Sequence, residues 1–212
     1  MRITPPGRYT AGARIYDIVS GERPVYRAGR VLGTAELRLQ PGDQVLDVGC
    51  GTGLNFPLLL DAIGPSGALV GVDASSSMLS RARARRETRG WENVTLVEAD
   101  AAQLDAALSQ NLAPELFDAA LFTYSLSIID RWQDAYAQSL ARVRPGGRIV
   151  VVDMALPVGR WRVFSPLARL ACFTGGADIN RAPWSLLLQT TSMSTHRIAR
   201  GGHIHVAAGS RA

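Results

Sequence analysis

The chain contains no lysine: all 23 of its basic residues are arginine, set against 18 acids and three histidines. Such one-sidedness follows coding bias as readily as selection, so it carries no function. Cysteine is almost as scarce, with only Cys50 and Cys172 in 212 residues. Two thiols, one of them inside a glycine-rich segment where a bridge would obstruct the backbone, exclude a disulfide scaffold and point to a reducing compartment. Long apolar runs are missing too. Stretches such as Pro57–Leu60 and Ile149–Val152 fall far short of the roughly 18 residues that cross a bilayer, and residues 1–7 lack the apolar core of a secretory signal. A cytoplasmic protein is expected.

What is present is an ordinary globular composition, 47% apolar and 19% charged, which excludes collagen, coiled coil and solvated tail. No internal repeat, low-complexity block or linker divides the chain, so residues 1–212 read as one domain. Charge is unevenly spread: residues 154–212 hold seven Arg against a single acid, Asp178, a net of +6. That asymmetry points to an anionic substrate or surface, or to arginines on a solvated face.

After about 40 residues, short β-rich runs alternate with helical patterns. Strands are predicted at Gln44–Val48, Ala68–Val72, Val94–Val97, Phe117–Phe122 and Arg148–Met154, with helices at Leu54–Ile63, Ser75–Arg89, Ala101–Gln110 and Arg131–Val143. A further helix over Ala28–Leu39 precedes the first strand, and Thr191–Arg200 with His203–Ala208 read as an antiparallel hairpin about Gly201-Gly202. Alternation of this kind is the pattern of an α/β fold, a parallel sheet covered on both faces. Right-handed crossovers put every parallel strand's C-terminal end on one rim, where ligands bind.

The first rim loop carries the most information. Val45-Leu46-Asp47-Val48-Gly49-Cys50-Gly51-Thr52-Gly53 is a buried strand running into three alternate glycines and then a helix. Glycine permits positive φ and close backbone approach to a ligand. Twenty residues past Gly53 the second strand ends in Asp73, whose carboxylate can accept from both hydroxyls of a ribose, and Asp100-Ala101 follows the third. A glycine loop with a distant acid also describes dinucleotide dehydrogenases. Here, however, the spacing is G-x-G-x-G, and Asp47 before it would repel a pyrophosphate and suit an ammonium.

On these residues the chain resembles the class I S-adenosylmethionine-dependent methyltransferases over about Tyr16 to Ala208. The resemblance implies a Rossmann-like, doubly wound sheet of seven strands in the order 3-2-1-4-5-7-6, the last antiparallel, and S-adenosylmethionine as cofactor. It implies a turn of Gly49, Cys50, Gly51 and Gly53 under the methionine portion, with Asp47 and Asn55 beside it and Asp73 on the ribose. Ala74 and Met78 would flank adenine, Asp100 and Ala101 would meet its edge, and Tyr16, Thr123 and Tyr124 would complete the site. Tyr124 is also the candidate for orienting the acceptor or taking its proton.

Substrate is read from residues 1–40, taken as an N-terminal helical lid, from the loop after strand four, and from residues 155–190, taken as a substrate lid. Strand four is followed by Tyr124-Ser125-Leu126-Ser127, not by the Asn/Asp-Pro-Pro-Tyr of base methylases. That block, with Trp132, Gly51-Thr52-Gly53-Leu54-Asn55 and Tyr16-Asp17, looks like bacterial phosphatidylethanolamine and betaine-lipid N-methyltransferases. The expectation is methylation of a lipid-headgroup amine, with Tyr9, Trp161 and Arg162 touching substrate and the aromatic and Arg residues of the second lid facing an anionic membrane peripherally. Two alternatives stand: a small soluble or isoprenoid acceptor such as a quinol, phenol or sugar, and a non-catalytic protein that binds S-adenosylmethionine to regulate. Arg81, Arg83, Arg85, Arg86 and Arg89 fall on one helix without interleaved aromatics, so nucleic-acid binding is not supported. His203 and His205 would share a face of a strand, but with His196 they lack a further ligand of suitable spacing, so no metal is expected. Oligomeric state is left open.

Overall fold

The computed structural model describes residues 26–111 and 113–212. Tyr9 and Tyr16, with most of the expected N-terminal lid, lie outside them. Seven strands, β1 (Gln44–Val48), β2 (Ala68–Asp73), β3 (Val94–Glu98), β4 (Phe117–Thr123), β5 (Val143–Met154), β6 (Ser192–Ala199) and β7 (Ile204–Ser210), form one sheet in the order 3-2-1-4-5-7-6. The first five run parallel, and β7 is antiparallel to both its neighbours. This is the doubly wound architecture that the resemblance implied.

The central strands are apolar at nearly every position because both faces are covered. Leu46, Ala120, Phe122, Ile149 and Val151 point into one core layer with Leu104, Leu108, Tyr136 and Leu187. Their neighbours Val45, Ala119, Leu121, Val150 and Val152 point into the other, with Leu37, Phe56, Leu59, Ile63 and Leu79. The first layer is roofed by helices α4 (Leu104–Gln110), α5 (Trp132–Ala141) and α7 (Trp184–Thr190), and the second by α1 (Arg27–Leu37), α2 (Phe56–Ile63) and α3 (Ser76–Arg89). One more helix, α6 (Ser165–Gly175), lies in the 155–190 segment. No helix among the described residues is long and apolar enough to cross a membrane.

Element boundaries differ from the sequence pattern in three informative places. Helix α2 starts at Phe56, two residues late, because the Asn55 side chain is engaged in the site rather than capping the helix. Strand β5 starts at Val143, and its register against β4 jumps between Phe117 and Ala119, absorbing the Pro145-Gly146-Gly147 turn as a bulge. His203 is not in a strand beside His205: it follows Gly201 and Gly202, both at positive φ, and closes a 3-10 turn. The two imidazoles therefore part company. His205 stacks on Trp184 at 4.0 Å and lies 2.9 Å from His196, whereas His203 faces the rim. No cluster of three metal-ligating side chains occurs among the described residues.

Helix α1 lies against β4, β5 and β7 through a pair of glycines one turn apart. A Cβ on Gly33 would come within 2.4 Å of Val152 Cγ2, and one on Gly29 within 2.0 Å of the Tyr124 hydroxyl. Alanine in a helix interior ordinarily gains about 1 kcal/mol over glycine. At Gly33 the stiff, fully buried Val152 has nowhere to move, and overpacking of this kind costs about 1–3 kcal/mol. Gly33→Ala is therefore expected to lower the midpoint of thermal unfolding, and a raised midpoint would contradict this close approach.

Candidate active site

The site is built on the loop between β1 and α2. Gly49, Gly51 and Gly53 all have positive φ, 71°, 57° and 77°, which bends the chain back on itself at a cost that only glycine avoids. Two of the three are closed in. A Cβ on Gly49 would strike Ser125 at 2.4 Å and one on Gly53 the Phe56 ring at 2.6 Å, while no described atom lies within 4 Å of the corresponding point on Gly51. The loop thus has one open face, at Gly51.

Where the loop's amide hydrogens go decides what that face can hold. Gly49 N and Cys50 N both donate to Val72 O, at 2.8 and 3.0 Å, and Gly53 N donates to Cys50 O at 3.0 Å. Gly51 N donates to Asp73 Oδ2 at 2.8 Å. A phosphate-binding turn needs such N–H groups pointing at the ligand. Here four are turned inward and two carboxylates stand beside them, the chemistry of a cationic rather than an anionic ligand. Cys50 contributes backbone alone, since its side chain is buried beside Phe56 and Gly71.

Asp47 is fully buried, and both its oxygens accept from Asn55 Nδ2, at 3.0 and 3.1 Å. The same amide nitrogen lies 3.3 Å from Thr123 Oγ1, and Asn55 Oδ1 accepts from Arg30 Nη1 at 3.0 Å. A chain of contacts thus runs from β1 through α2 to α1. Burial pushes the Asp47 carboxyl up to about 7, against the pull of the Asn55 hydrogen bond and the Arg30 charge. Asp73 is raised in the same direction by burial, opposed by the backbone N–H groups of Ser75 and Gly51.

The remaining sequence candidates are distributed unevenly. Met78 is buried in the first turn of α3, and Ala74, just before that helix, is exposed. Asp100 caps the turn at Ala101 by accepting from Ala102 N at 2.9 Å and pairs with Arg131 at 3.0 Å, both side chains half exposed, so the pair itself adds little stability. Tyr124 has a φ of 57°, uncommon for a non-glycine residue and a mark of functional sites. Its N–H donates to Val152 O at 2.7 Å and its hydroxyl to Tyr26 O at 2.9 Å. That proton is committed, so Tyr124 is better placed to orient an acceptor than to take its proton. Trp161 and Arg162 stand apart, in an outer 3-10 turn (Gly159–Phe164) where Trp161 covers Gly201 and packs on Phe164 at 5.9 Å.

Sequence reading missed four residues that the fold brings to this rim. Arg30 lies 5.4 Å over the Tyr124 ring, and Tyr26 meets Tyr124 edge to face at 5.0 Å. His203 completes the group, 3.3 Å from the Tyr26 hydroxyl. Asp153, fully buried at the end of β5, accepts from Ser127 N and Met154 N, and burial raises it to about 6. No motif announces them, because each arrives from a different segment.

Comparison with known proteins agrees with this geometry. Residues 45–147 match the family described as Methyltransferase domain. The chain superposes on the N-methyltransferase NodS from Bradyrhizobium japonicum WM9 with a TM-score of 0.61 at 16% identity, covering 90% of this chain and 98% of that one. The matched residues are 103 of the chain's 212 and, with the fold, support a class I S-adenosylmethionine-dependent methyltransferase. Among curated relatives of this chain, the demethylmenaquinone methyltransferase of Anoxybacillus flavithermus is 28% identical over 144 residues, 68% of this chain and 57% of that one. The phosphatidylethanolamine N-methyltransferase of Cereibacter sphaeroides is 34% identical over 113 residues, 53% of this chain and 51% of that one. The chain thus spans little more than half the length of these relatives.

S-adenosylmethionine fits the loop described: an open face at Gly51, amides turned away, and the Asp47 and Asp73 carboxylates to either side for its ammonium and its ribose. Because Asp47 is buried, it would act on the ammonium through its field rather than by contact. A cation favours the ionised carboxylate, so binding must expel the Asp47 proton below pH 7. Affinity for S-adenosylhomocysteine, measured by calorimetry, is expected to fall about tenfold from pH 8 to pH 6. Asp47→Asn should bind more weakly with no such slope, and a native affinity that is flat over this range would contradict the coupling.

Proposed function

We propose that this methyltransferase acts on a lipid-borne acceptor drawn from an anionic membrane surface. The observation that carries the reading is the outer surface of residues 155–175. Val158, Trp161, Val163, Phe164, Leu167, Leu170 and Phe173 are all exposed there, Phe173 at 82%. Meanwhile Ala168 and Cys172, on the inner side of α6, pack against Met154 and Ile179. A helix apolar on both sides belongs in an apolar environment on both sides. Arg160, Arg162 and Arg169 are exposed among these side chains, and no acid occurs from 154 to 177. Apolar side chains that enter the acyl boundary, with guanidinium groups at the level of anionic headgroups, are the makeup of an interfacial element.

The relatives support the same class of acceptor, since demethylmenaquinone and phosphatidylethanolamine are both lipids. Two headgroup chemistries meet the description: an amine of the phosphatidylethanolamine kind, which the loop after β4 resembles, and the hydroxyl of an isoprenoid quinol. In either case S-adenosylmethionine supplies a methyl group on a sulfonium with an excellent leaving group. The chain's own work is to position the acceptor and keep water out.

Sedimentation with phosphatidylglycerol vesicles tests the membrane reading. The protein is expected to pellet with them, less so with neutral phosphatidylcholine, and Trp161→Ala with Phe173→Ala should weaken partition by roughly tenfold or more. Indifference to vesicles contradicts it. So does a concentration-dependent dimer that Phe173→Ala abolishes, which would make a second copy the partner of this surface.

A further inference from the structure

We infer that Arg30 is a positioning residue for the methyl donor: through Asn55 it holds the Asp47 carboxylate as a hydrogen-bond acceptor, the form that attracts an ammonium. The inference rests on the methyltransferase reading, deepens it on the donor side and does not depend on the acceptor. Three elements converge on the relay. Asp47 comes from β1, Asn55 from the turn before α2 and Arg30 from α1. Arg30 follows Gly29, whose close approach to the Tyr124 hydroxyl fixes how tightly the helix lies on the sheet.

Donor and acceptor chemistry fixes the direction of the chain. A guanidinium has hydrogens to give and no lone pair to offer, so the Asn55 atom 3.0 Å from Arg30 Nη1 is the amide oxygen. The amide nitrogen is thereby turned the other way, where it lies 3.0 and 3.1 Å from the two Asp47 oxygens and 3.3 Å from Thr123 Oγ1. Its two hydrogens serve the carboxylate and the hydroxyl. An ionised carboxylate only accepts and matches this setting, whereas a protonated one would set an O–H against an N–H. Turning the amide over would suit the protonated form, but it would place Asn55 Nδ2 against Arg30, donor against donor. Arg30 therefore works on the Asp47 proton from two hydrogen bonds away, and its charge works in the same direction.

The groups that bear on Asp47 among the described residues come from several elements. Burial is the largest influence and raises the carboxyl; the Asn55 hydrogen bond and the Arg30 charge on α1 lower it, and the Asp73 charge at the end of β2 raises it. The neighbouring Cys50 thiol, itself pushed up by burial, stays uncharged. Asp47 and Asn55 are both buried, so solvent screens little of this balance. The guanidinium also lies 5.4 Å over the Tyr124 ring, a cation–π contact that helps to hold it in place. With Arg30 present, the donor's ammonium must expel a proton from Asp47 only below about pH 7. Without it, that cost extends through the neutral range.

The test is calorimetric titration with S-adenosylhomocysteine between about pH 6 and pH 8.5 and needs no turnover. The ligand's own ammonium titrates alike against every variant, so differences between variants belong to the protein. In Arg30→Met the affinity at pH 7 is expected to fall about fivefold or more, and the pH at which binding weakens to rise by about one pH unit or more. Arg30→Lys, which keeps a charge and a donor, is expected to restore the native profile. In an Asp47→Asn background, Arg30→Met is expected to cost less than about twofold, because its path to the ligand is gone. Should Arg30→Met fail to fold, Arg30→Gln removes the charge while keeping an N–H for Asn55 Oδ1, and is expected to move the profile in the same direction. An affinity unchanged at every pH overturns the inference. So does an equal loss at every pH, which would make Arg30 a direct contact of the ligand, and so does a loss of the same size in the Asp47→Asn background. A native protein that binds S-adenosylhomocysteine at no pH removes the methyltransferase reading, and the relay with it.

Discussion

The rim depends on one buried carboxylate. Asp47 sits with no exposure at the end of β1, where a lone charge would be prohibitive, and it is tolerated because Asn55 and then Arg30 answer it in sequence. That requirement ties three elements together. It takes the Asn55 side chain away from capping α2, draws α1 down until Gly29 and Gly33 touch β5, and so brings Tyr26 and Tyr124 into contact. The glycine loop follows the same carboxylate with its amides turned inward, which leaves an open face at Gly51 flanked by acids.

Buried carboxylates stand on both halves of the rim, in different company. On the β1–β2 side stand Asp47 and Asp73, both held above their ordinary range by burial and therefore responsive to an incoming cation. On the β5–β7 side stand the Asp153 carboxyl, also raised by burial, the His203 imidazole, the Tyr26 and Tyr124 phenols and an apolar segment edged with arginine. The Tyr124 backbone, at positive φ, lies at the seam between them.

Much of this was legible in the sequence. Strand alternation with both faces apolar, the G-x-G-x-G loop after a buried strand and the acid at the end of β2 are local patterns, and local physics produces them. The seven-strand order followed from resemblance. What could not be read is what tertiary packing alone assembles. Arg30, Tyr26 and His203 are ordinary residues until α1 and the 200–203 turn bring them beside Tyr124. The one available hint for His203 was the Gly201-Gly202 pair, whose positive φ values turn the histidine out of the strand. For α1 it was the spacing of Gly29 and Gly33 within a helical pattern. Trp161 and Arg162 were expected at substrate from composition, which says what a segment is made of but not which way it faces.

The most direct measurement is calorimetric titration of the purified protein with S-adenosylhomocysteine, and with NAD as the competitor for the same kind of loop. A loop with its amides turned inward and carboxylates at both ends should bind the first in the micromolar range and leave the second unbound. Binding of NAD in place of S-adenosylhomocysteine would contradict the central claim, because a diphosphate has no amide to hold it at Gly51.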